Sequence, residues 1–254
     1  EGAVGPHLLA VSSITAEKLN QAFDGIAERI RILSPGVDRT PFDRWSRQAC
    51  RSALRQRYNW AADDVILLFV GMNFEIKGLD RIIQAFRLAV QSGPQATLRL
   101  LVVGKGDVRK YRQQADALGI GDRVSFAGPV NTDIERIYLG SDIFILLSRF
   151  DTFGLVVLEA MAAGLPVIVS RQVGAKDVID EGSSGFVVDG ADPAAAADRM
   201  RRLTDPSTRA AMGLAAGAAA GAHDWQAVAD RVNEIYSRRL HGTGTGCSLK
   251  RNTS

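Results

Sequence analysis

The fold is decided by one stretch, which reads Ser148-Arg149-Phe150-Asp151-Thr152-Phe153-Gly154-Leu155-Val156-Val157-Leu158-Glu159-Ala160-Met161-Ala162-Ala163-Gly164-Leu165-Pro166. It follows an apolar run over residues 143–147, which is typical of a strand buried on both faces of a sheet. Good helix formers over residues 155–163 then predict a helix that ends at Gly164. A second short strand is predicted over residues 167–169. The stretch therefore predicts a strand, a glycine-bearing loop, a helix and another strand.

Two carboxylates stand in this stretch, Asp151 in the loop and Glu159 eight positions on, about two turns into the predicted helix. A helix N-terminus attracts anions because its N–H groups are free, and Gly154 lets the backbone approach a ligand closely. A nearby carboxylate can accept hydrogen bonds from two neighbouring ribose hydroxyls. The pattern is thus compatible with a binding site for a phosphorylated sugar. Spacing alone favours a plainer interpretation, in which Asp151 supports the turn and Glu159 is solvated.

A similar unit earlier in the chain supplies a cation. The apolar run over residues 65–70 predicts a buried strand before Gly71, and Lys77 opens the helix that follows. A lysine at a helix N-terminus can contact a pyrophosphate, because its ammonium group and the helix N–H groups converge. Spacing alone supports an exposed loop lysine equally well. The next strand, predicted over residues 97–103, ends in Gly104-Lys105-Gly106, a weak motif in a position that suits a ligand-facing loop.

The alternation of strands and helices sets the fold class. Six predicted strands alternate with helices between about residue 65 and residue 188, which predicts a Rossmann-like, doubly wound parallel sheet of the α/β class. Within this region Thr132-Asp133-Ile134-Glu135 fits a capping box. We therefore expect Asp133 and Glu135 to serve as plain helix caps.

The composition of the 254 residues is that of an ordinary globular protein, with 46% hydrophobic and 23% charged residues. A net charge of +3 is too small to predict nucleic-acid binding. Cys50 and Cys247 lie too far apart to suggest a disulfide framework or a zinc site. No apolar run reaches the length of a membrane span, and the first residues lack a signal-peptide pattern. We expect a cytoplasmic protein whose membrane contact, if any, is peripheral, at the inner face of the cytoplasmic membrane.

Two motifs resemble the retaining glycosyltransferases of the GT-B fold, family 4, also called glycosyl transferases group 1. The acidic motif of that family has the form Glu-x-Phe-Gly-x-x-x-Leu-Glu-Ala, which residues 151–160 match with Asp151 in the first position. The second motif, Gly-x-x-Phe-x-x-Lys-Gly-x-Asp-Arg over residues 71–81, is most similar to lipopolysaccharide-core glucosyltransferases. Met72 stands where many members have an arginine. The resemblance covers roughly residues 7–240.

This resemblance implies the C-terminal half of a GT-B fold and a hexosyltransferase activity. A hexose would pass from a nucleotide diphosphate sugar to an acceptor hydroxyl, with retention of configuration, in the synthesis of lipopolysaccharide or another cell-envelope glycan. The expected donor is a UDP-sugar, with GDP- and ADP-sugars as alternatives, and the expected acceptor is a glycan or glycolipid. No Asp-x-Asp motif occurs in the chain, so a metal-independent reaction without a further cofactor is expected.

The resemblance also assigns roles to individual residues. Lys77 would contact the diphosphate, Asp151 the transferred sugar and Glu159 the ribose, and these three are the expected catalytic residues. Backbone contacts with the donor are expected from the other positions that match the family, which are Gly71, Gly104, Val130, Phe153, Gly154 and Leu155. Of these, Val130 would hold the nucleotide base.

Three segments follow from the same resemblance. Residues 1–42 would be the remnant of an acceptor-side N-terminal domain with its linker, since residues 35–42 are similar to the family's Asn-Gly-Val-Asp-x-x-x-Phe. Residues 43–240 would bind the donor, and the Gly/Thr-rich tail over residues 241–254 is expected to be disordered. The rest of the acceptor domain would then be a missing partner.

Three alternatives stay open from the sequence. The chain could be a nucleotide-sugar-binding domain without catalysis of its own, an epimerase of the same fold, or a non-enzymatic Rossmann-like regulator. An epimerase needs a histidine near the sugar. The three histidines, His7, His223 and His241, all lie outside the motifs, which disfavours that alternative.

Overall fold

The computed structural model describes residues 7–91 and 97–242. The strands in this part are β1 (Leu8–Ala10), β2 (Ile30–Ile32), β3 (Val65–Met72), β4 (Leu98–Lys105), β5 (Val124–Gly128), β6 (Ile143–Leu146), β7 (Val167–Ser170) and β8 (Gly185–Val188). The α-helices are α1 (Ser13–Ala22), α2 (Thr40–Asp43), α3 (Arg47–Tyr58), α4 (Leu79–Gln91), α5 (Val108–Ala117), α6 (Ile134–Gly140), α7 (Leu155–Ala162), α8 (Pro193–Arg202), α9 (Pro206–Gly221) and α10 (Trp225–Gly242). The tail predicted to be disordered lies outside the described residues, apart from residues 241 and 242, which belong to α10.

Six of the strands form one parallel sheet in the order β5-β4-β3-β6-β7-β8, so the predicted sheet of about six strands is confirmed. From β3 the chain moves outward to β4 and β5, and it then returns through α6 to β6, which pairs with the other edge of β3. The strand order therefore reverses between β3 and β6. In such sheets, ligands bind beyond the carboxyl ends of the strands at this switch point.

The core lies on both faces of the sheet. Residues 65–71 and 143–146 are buried along their whole length, as expected for parallel strands covered by helices on both sides. Helix α4 contributes an apolar stripe with the helical period, formed by Leu79, Ile82, Ile83 and Phe86. Burial of each such side chain stabilises the fold by about 1.5–3 kcal/mol. This packing fixes the ends of β3 and β6, from which the site loops emerge.

Residues 8–32 form a small unit beside the large sheet. Strands β1 and β2 pair in parallel as a sheet of their own, and α1 packs against the turn over residues 174–178. The hydroxyl of Ser12 caps α1 and also donates to the carbonyl of Thr152 over 2.6 Å. This hydrogen bond ties the small unit to the loop after β6.

The linker after β2 is partly helical, since α2 lies at its end. Pro41 fits the first turn of α2, and Asp38 accepts a hydrogen bond from the Thr40 N–H over 2.9 Å. The Val37 N–H donates to the carbonyl of His223 over 2.9 Å, which fixes the linker to the residues before α10. Within residues 7–91 and 97–242, none of the helices combines the length and the apolar character needed to cross a bilayer.

Candidate functional site

Two loops meet at the switch point, the one between β3 and α4 and the one between β6 and α7. Gly78, in the first loop, has a φ of 73°, and a Cβ at this position would overlap the carbonyl oxygen of Leu147 in the second. The Arg149 N–H also donates to the carbonyl of Ile76 over 2.8 Å. The two backbones can approach this closely only because residue 78 is a glycine.

A bidentate ion pair holds the same two loops together. Arg149 donates from its two terminal nitrogens to Asp80, over 2.9 and 2.7 Å, and to the carbonyl of Glu75 over 2.6 Å. Burial opposes ionisation of Asp80, but the hydrogen bonds and the charge of Arg149, together with backbone hydrogen bonds, outweigh it and hold the pKa of Asp80 below its usual value. Sequence reasoning gave Arg149 no role, since no local pattern indicates a partner 69 positions away.

The predicted cation and the predicted loop carboxylate lie side by side. Lys77 Nζ donates to Asp151 Oδ2 over 2.6 Å, and the two side chains expose 24% and 10% of their surfaces. Gly71 lies against the lysine, since a Cβ there would stand 3.1 Å from Lys77 Cγ. The backbone of Asp151 pairs with Gln172 over 2.9 Å and with Gly174 over 3.0 Å. The crevice therefore holds a lysine ammonium paired with a carboxylate whose position the backbone fixes.

The N-terminus of α7 opens beside this ion pair. Gly154 is the N-cap residue, with a φ of 87°, and no side chain caps the helix. A Cβ on Gly154 would lie 3.2 Å from Asp151 Oδ2, so the carboxylate and the helix end are neighbours. The first N–H groups of α7 thus add partial positive charge next to Lys77. Phe153 exposes 4% of its surface, so its side chain is not available to a ligand, and its carbonyl accepts from the Ala175 N–H over 2.7 Å.

Glu159 lies just over one turn into α7, not two, because the helix begins at Leu155. The buried Tyr138 donates its hydroxyl proton to Glu159 Oε2 over 2.7 Å. Burial raises the pKa of Glu159, the hydrogen bond from Tyr138 opposes this, and the charge of Glu135 adds to it. Sequence reasoning missed Tyr138. Its position on the inner face of a helix indicates only that the hydroxyl needs a partner, not which partner it has.

Glu159 opens into a cleft of about 270 Å³ formed by α6, α7, the linker and the start of α10. Leu155 lines the same cleft, since residues four apart share a helix face. Polar and aromatic groups from the other elements complete it, among them Asp38, Glu135, Tyr138 and Trp225. The ion pair, the helix N-terminus and Glu159 therefore follow one another along α7.

The capping box predicted before α6 is wrong. Asp133 is itself the N-cap residue, with a φ of 55°, and its side chain makes no capping hydrogen bond. Because α6 begins at Ile134, Glu135 stands at the second helical position and not at the third, from which a glutamate reaches back to the cap. Glu135 lines the cleft at Glu159 instead.

Two further predicted positions differ in their placement. Gly104 pairs in register with Gly71, and a Cβ on Gly104 would overlap the carbonyl oxygen of Gly71, so the two strand ends are pressed together at the crevice. Val130 lines a separate cleft together with Cys50 and Arg57. The predicted positions on β3, β4 and α7 therefore lie around the crevice. The side chain of Val130 lies outside the cleft at Glu159.

The reversed strand order and the two loops that meet beyond β3 and β6 define a Rossmann-like α/β domain with a crevice at its switch point. The chain belongs to the family Glycosyl transferases group 1, whose family model matches residues 51–219. The matched range contains both loops of the crevice and all of α7.

Relatives among curated proteins carry the name D-inositol 3-phosphate glycosyltransferase. The one from Acidothermus cellulolyticus is 31% identical over 247 residues, which cover 94% of this chain and 54% of the relative. The solved structure of HepE from Anabaena, in complex with UDP and glucose, has a TM-score of 0.79 at 24% identity and covers 92% of this chain and 63% of that one. WaaG, a glycosyltransferase involved in lipopolysaccharide biosynthesis, has a TM-score of 0.75 at 25% identity, over 96% and 65%. The chain spans about half the length of the curated relatives it matches.

Proposed function

We propose that this chain binds the sugar donor of a retaining glycosyltransferase, and that the whole protein transfers a hexose from a nucleotide diphosphate sugar to an acceptor hydroxyl. The observation that carries the proposal is the Lys77–Asp151 ion pair beside the uncapped N-terminus of α7, with Glu159 on the next turn. In a nucleotide sugar the diphosphate stands between the hexose and the ribose. Asp151 at the hexose, Lys77 with the free peptide donors at the diphosphate, and Glu159 at the ribose would follow that order.

In the reaction, this site would stabilise the departing diphosphate. As the bond between the anomeric carbon and the diphosphate oxygen breaks, the leaving group takes the electron pair and gains negative charge. The ammonium of Lys77 keeps two further N–H donors besides the one that Asp151 accepts, and these and the first N–H groups of α7 would stabilise that charge. The acceptor oxygen then bonds to the anomeric carbon, and the proton of the acceptor hydroxyl passes to the departing diphosphate oxygen. Asp151 would orient the hexose, and no step requires a metal ion.

The ribose would be held at Glu159. Tyr138 occupies one lone pair of Oε2, which leaves Oε1 and the remaining lone pair to accept from the two ribose hydroxyls. The backbone at Gly71, Gly104, Phe153 and Gly154 would line the donor, with Leu155 against the nucleoside. We keep Val130 as a backbone contact to the base, approached from the neighbouring cleft.

The acceptor and the nucleotide are inferred from the relatives. HepE holds UDP and glucose on the same fold, which supports a UDP-sugar over a GDP- or ADP-sugar. The name of the curated relatives favours a phosphorylated inositol as acceptor, whereas the likeness to WaaG supports a lipopolysaccharide core. We propose a soluble or membrane-bound polyol of the cell envelope, met by the whole protein at the cytoplasmic face of the membrane.

Thermal-shift titration of the chain with UDP-, GDP- and ADP-glucose tests the donor site. At about 100 times the dissociation constant the stabilisation should reach about 2.7 kcal/mol, or roughly 5–10 °C for a domain of this size. We expect the largest shift with UDP-glucose. The donor-site proposal fails if none of the three sugars raises the Tm. Transfer assays with the whole protein, on inositol phosphate and on lipopolysaccharide core, then separate the acceptors.

The Glu159→Gln variant is expected to lose most of the UDP-glucose shift at pH 7. Glutamine keeps an acceptor for Tyr138 but lacks the charge that two ribose hydroxyls would share. Because the pKa of Glu159 is raised, the wild-type shift should decline as pH falls through that pKa, and the variant should show no such decline.

Without ligand, Glu159→Gln should not lower the Tm, although it should weaken donor binding. A raised folded-state pKa means that the folded protein binds the proton more tightly than the unfolded chain, so ionised Glu159 lowers stability once pH exceeds that pKa. The Tm of Glu159→Gln at pH 7 without ligand should therefore equal or exceed that of the wild type. Glu135→Gln, in the same cleft, is the matched control and should keep most of the donor shift. A full donor shift in Glu159→Gln would remove Glu159 from the proposed ribose site.

A further inference from the structure

A second cleft, of about 500 Å³, lies at the amino-terminal end of the sheet, opposite the donor crevice. Asp142 directly precedes β6 and Pro166 directly precedes β7, and both residues line it. Three arginines from two helices converge there, Arg47 and Arg51 from α3 and Arg209 from α9. None of the donor-site residues lines this cleft, so the proposed transfer reaction gives it no role.

The one carboxylate that lines this cleft, Asp142, is hydrogen-bonded within the protein. Asp142 accepts hydrogen bonds from Arg51, from Arg55 over 2.8 Å and from the Ile66 N–H over 2.9 Å. Arg55 is buried and makes further hydrogen bonds to backbone carbonyls, among them that of Asp64 over 2.7 Å. Two guanidinium groups therefore neutralise one carboxylate, and this cluster retains a positive charge beside the cleft.

The other two arginines donate to backbone carbonyls. Arg47 donates to the carbonyl of Ala163, and Arg209 donates to those of Leu203 and Thr204 over 2.7 and 2.9 Å. Among the described residues, no Asp or Glu oxygen lies within 4.0 Å of either guanidinium group. Burial lowers the pKa of both groups and the charge of Arg51 lowers it further, whereas the charge of Asp142 opposes this for both groups and that of Asp205 opposes it for Arg209. A bound anion would offset the free-energy cost of burying these two charged groups.

We propose that this cleft binds the phosphate group of a small phosphorylated molecule. Guanidinium groups present paired N–H donors that match phosphate oxygens, and two or three of them around one cleft are suited to a single phosphate. The volume is within the range of small-molecule sites, and the apolar side chains of Leu165, Pro166 and Leu214 offer contact for a carbon skeleton. A free phosphate ester and a phospholipid headgroup share this chemistry.

Calorimetric titration with glycerol 3-phosphate and with inorganic phosphate tests the proposal. It is done in chloride buffer on the chain carrying Lys77→Met, which weakens phosphate binding at the donor crevice. We expect saturable binding at one site, weakened at least tenfold by Arg47→Gln with Arg209→Gln. The matched control is Arg199→Gln with Arg202→Gln on α8, which removes the same charge from two arginines that lie over the Phe186 ring. This control should bind as before.

Co-sedimentation with phosphatidylglycerol and phosphatidylcholine vesicles separates the two sources of phosphate. Binding to anionic vesicles that the Arg47/Arg209 double variant loses supports the proposal with a lipid headgroup as ligand. If that variant does not fold, Arg47→Lys with Arg209→Lys, which keeps the charge but not the paired donors, should show the same loss. Absence of binding to phosphate esters and to vesicles, or an equal loss in the α8 control, overturns the proposal.

Discussion

The Lys77→Met variant should lose most of the thermal stabilisation that UDP-glucose gives this chain. Methionine keeps most of the length of the side chain and removes its charge, so the diphosphate loses a charge-assisted hydrogen bond worth about 1.5–3 kcal/mol. Asp151, which exposes 10% of its side chain, would also be left without its cation and would repel the diphosphate. The dissociation constant should therefore rise by roughly 10- to 100-fold. Thermal-shift titration of both proteins measures this change.

The matched control for this prediction is Lys110→Met. Lys110 lies on α5 in a solvent-exposed ion pair with Glu75, at 3.7 Å, and Lys110 lines none of the three clefts described above. Loss of such a pair should change the Tm by little, because exposed ion pairs contribute about 0–1 kcal/mol. Each unliganded Tm is measured first, so that the donor shift is separated from the stability of the variant. Equal donor shifts in the two variants would mean that Lys77 does not contact the diphosphate.

The strands of the sheet could be predicted because each one is marked by residues that are adjacent in the sequence. Apolar runs such as residues 65–70 and 143–147 mark buried parallel strands wherever they occur, and the glycines between strands and helices mark the loops. The order of the strands is not local, since an apolar run shows that a strand is buried but not which strand lies beside it. The position of the crevice between β3 and β6 therefore came from the structure.

The partners of the site residues depend on distant parts of the chain. Tyr138 and Glu159 are 21 positions apart, and Arg149 and Asp80 are 69 apart, so no spacing rule connects them. The resemblance placed Lys77 and Glu159 in one site without indicating what holds either side chain. The capping box failed for a related reason, since Glu135 faces the cleft at Glu159 and α6 starts one residue later than the local pattern predicts.

Among glycine-to-alanine substitutions in the two crevice loops, Gly78→Ala should destabilise the chain the most. The positive φ of 73° costs an alanine about 1–2 kcal/mol. The new Cβ would also fall far inside 3.0 Å of the Leu147 carbonyl, a backbone atom at the end of the buried strand β6 that cannot move aside cheaply. Overpacking of this kind adds about 1–3 kcal/mol.

The total cost of Gly78→Ala, about 2–5 kcal/mol, corresponds to a Tm lowered by roughly 10 °C in a domain of this size. Gly119→Ala provides the matched control, because Gly119 has nearly the same φ, 72°, and no atom lies within 4 Å of a Cβ built there. It should lose only the conformational part, about 1–2 kcal/mol. Thermal unfolding followed by circular dichroism compares the two. A Gly78→Ala variant no less stable than Gly119→Ala would show that the loops at the switch point can separate, and Lys77 and Asp151 would then not be held together by the backbone contact at Gly78.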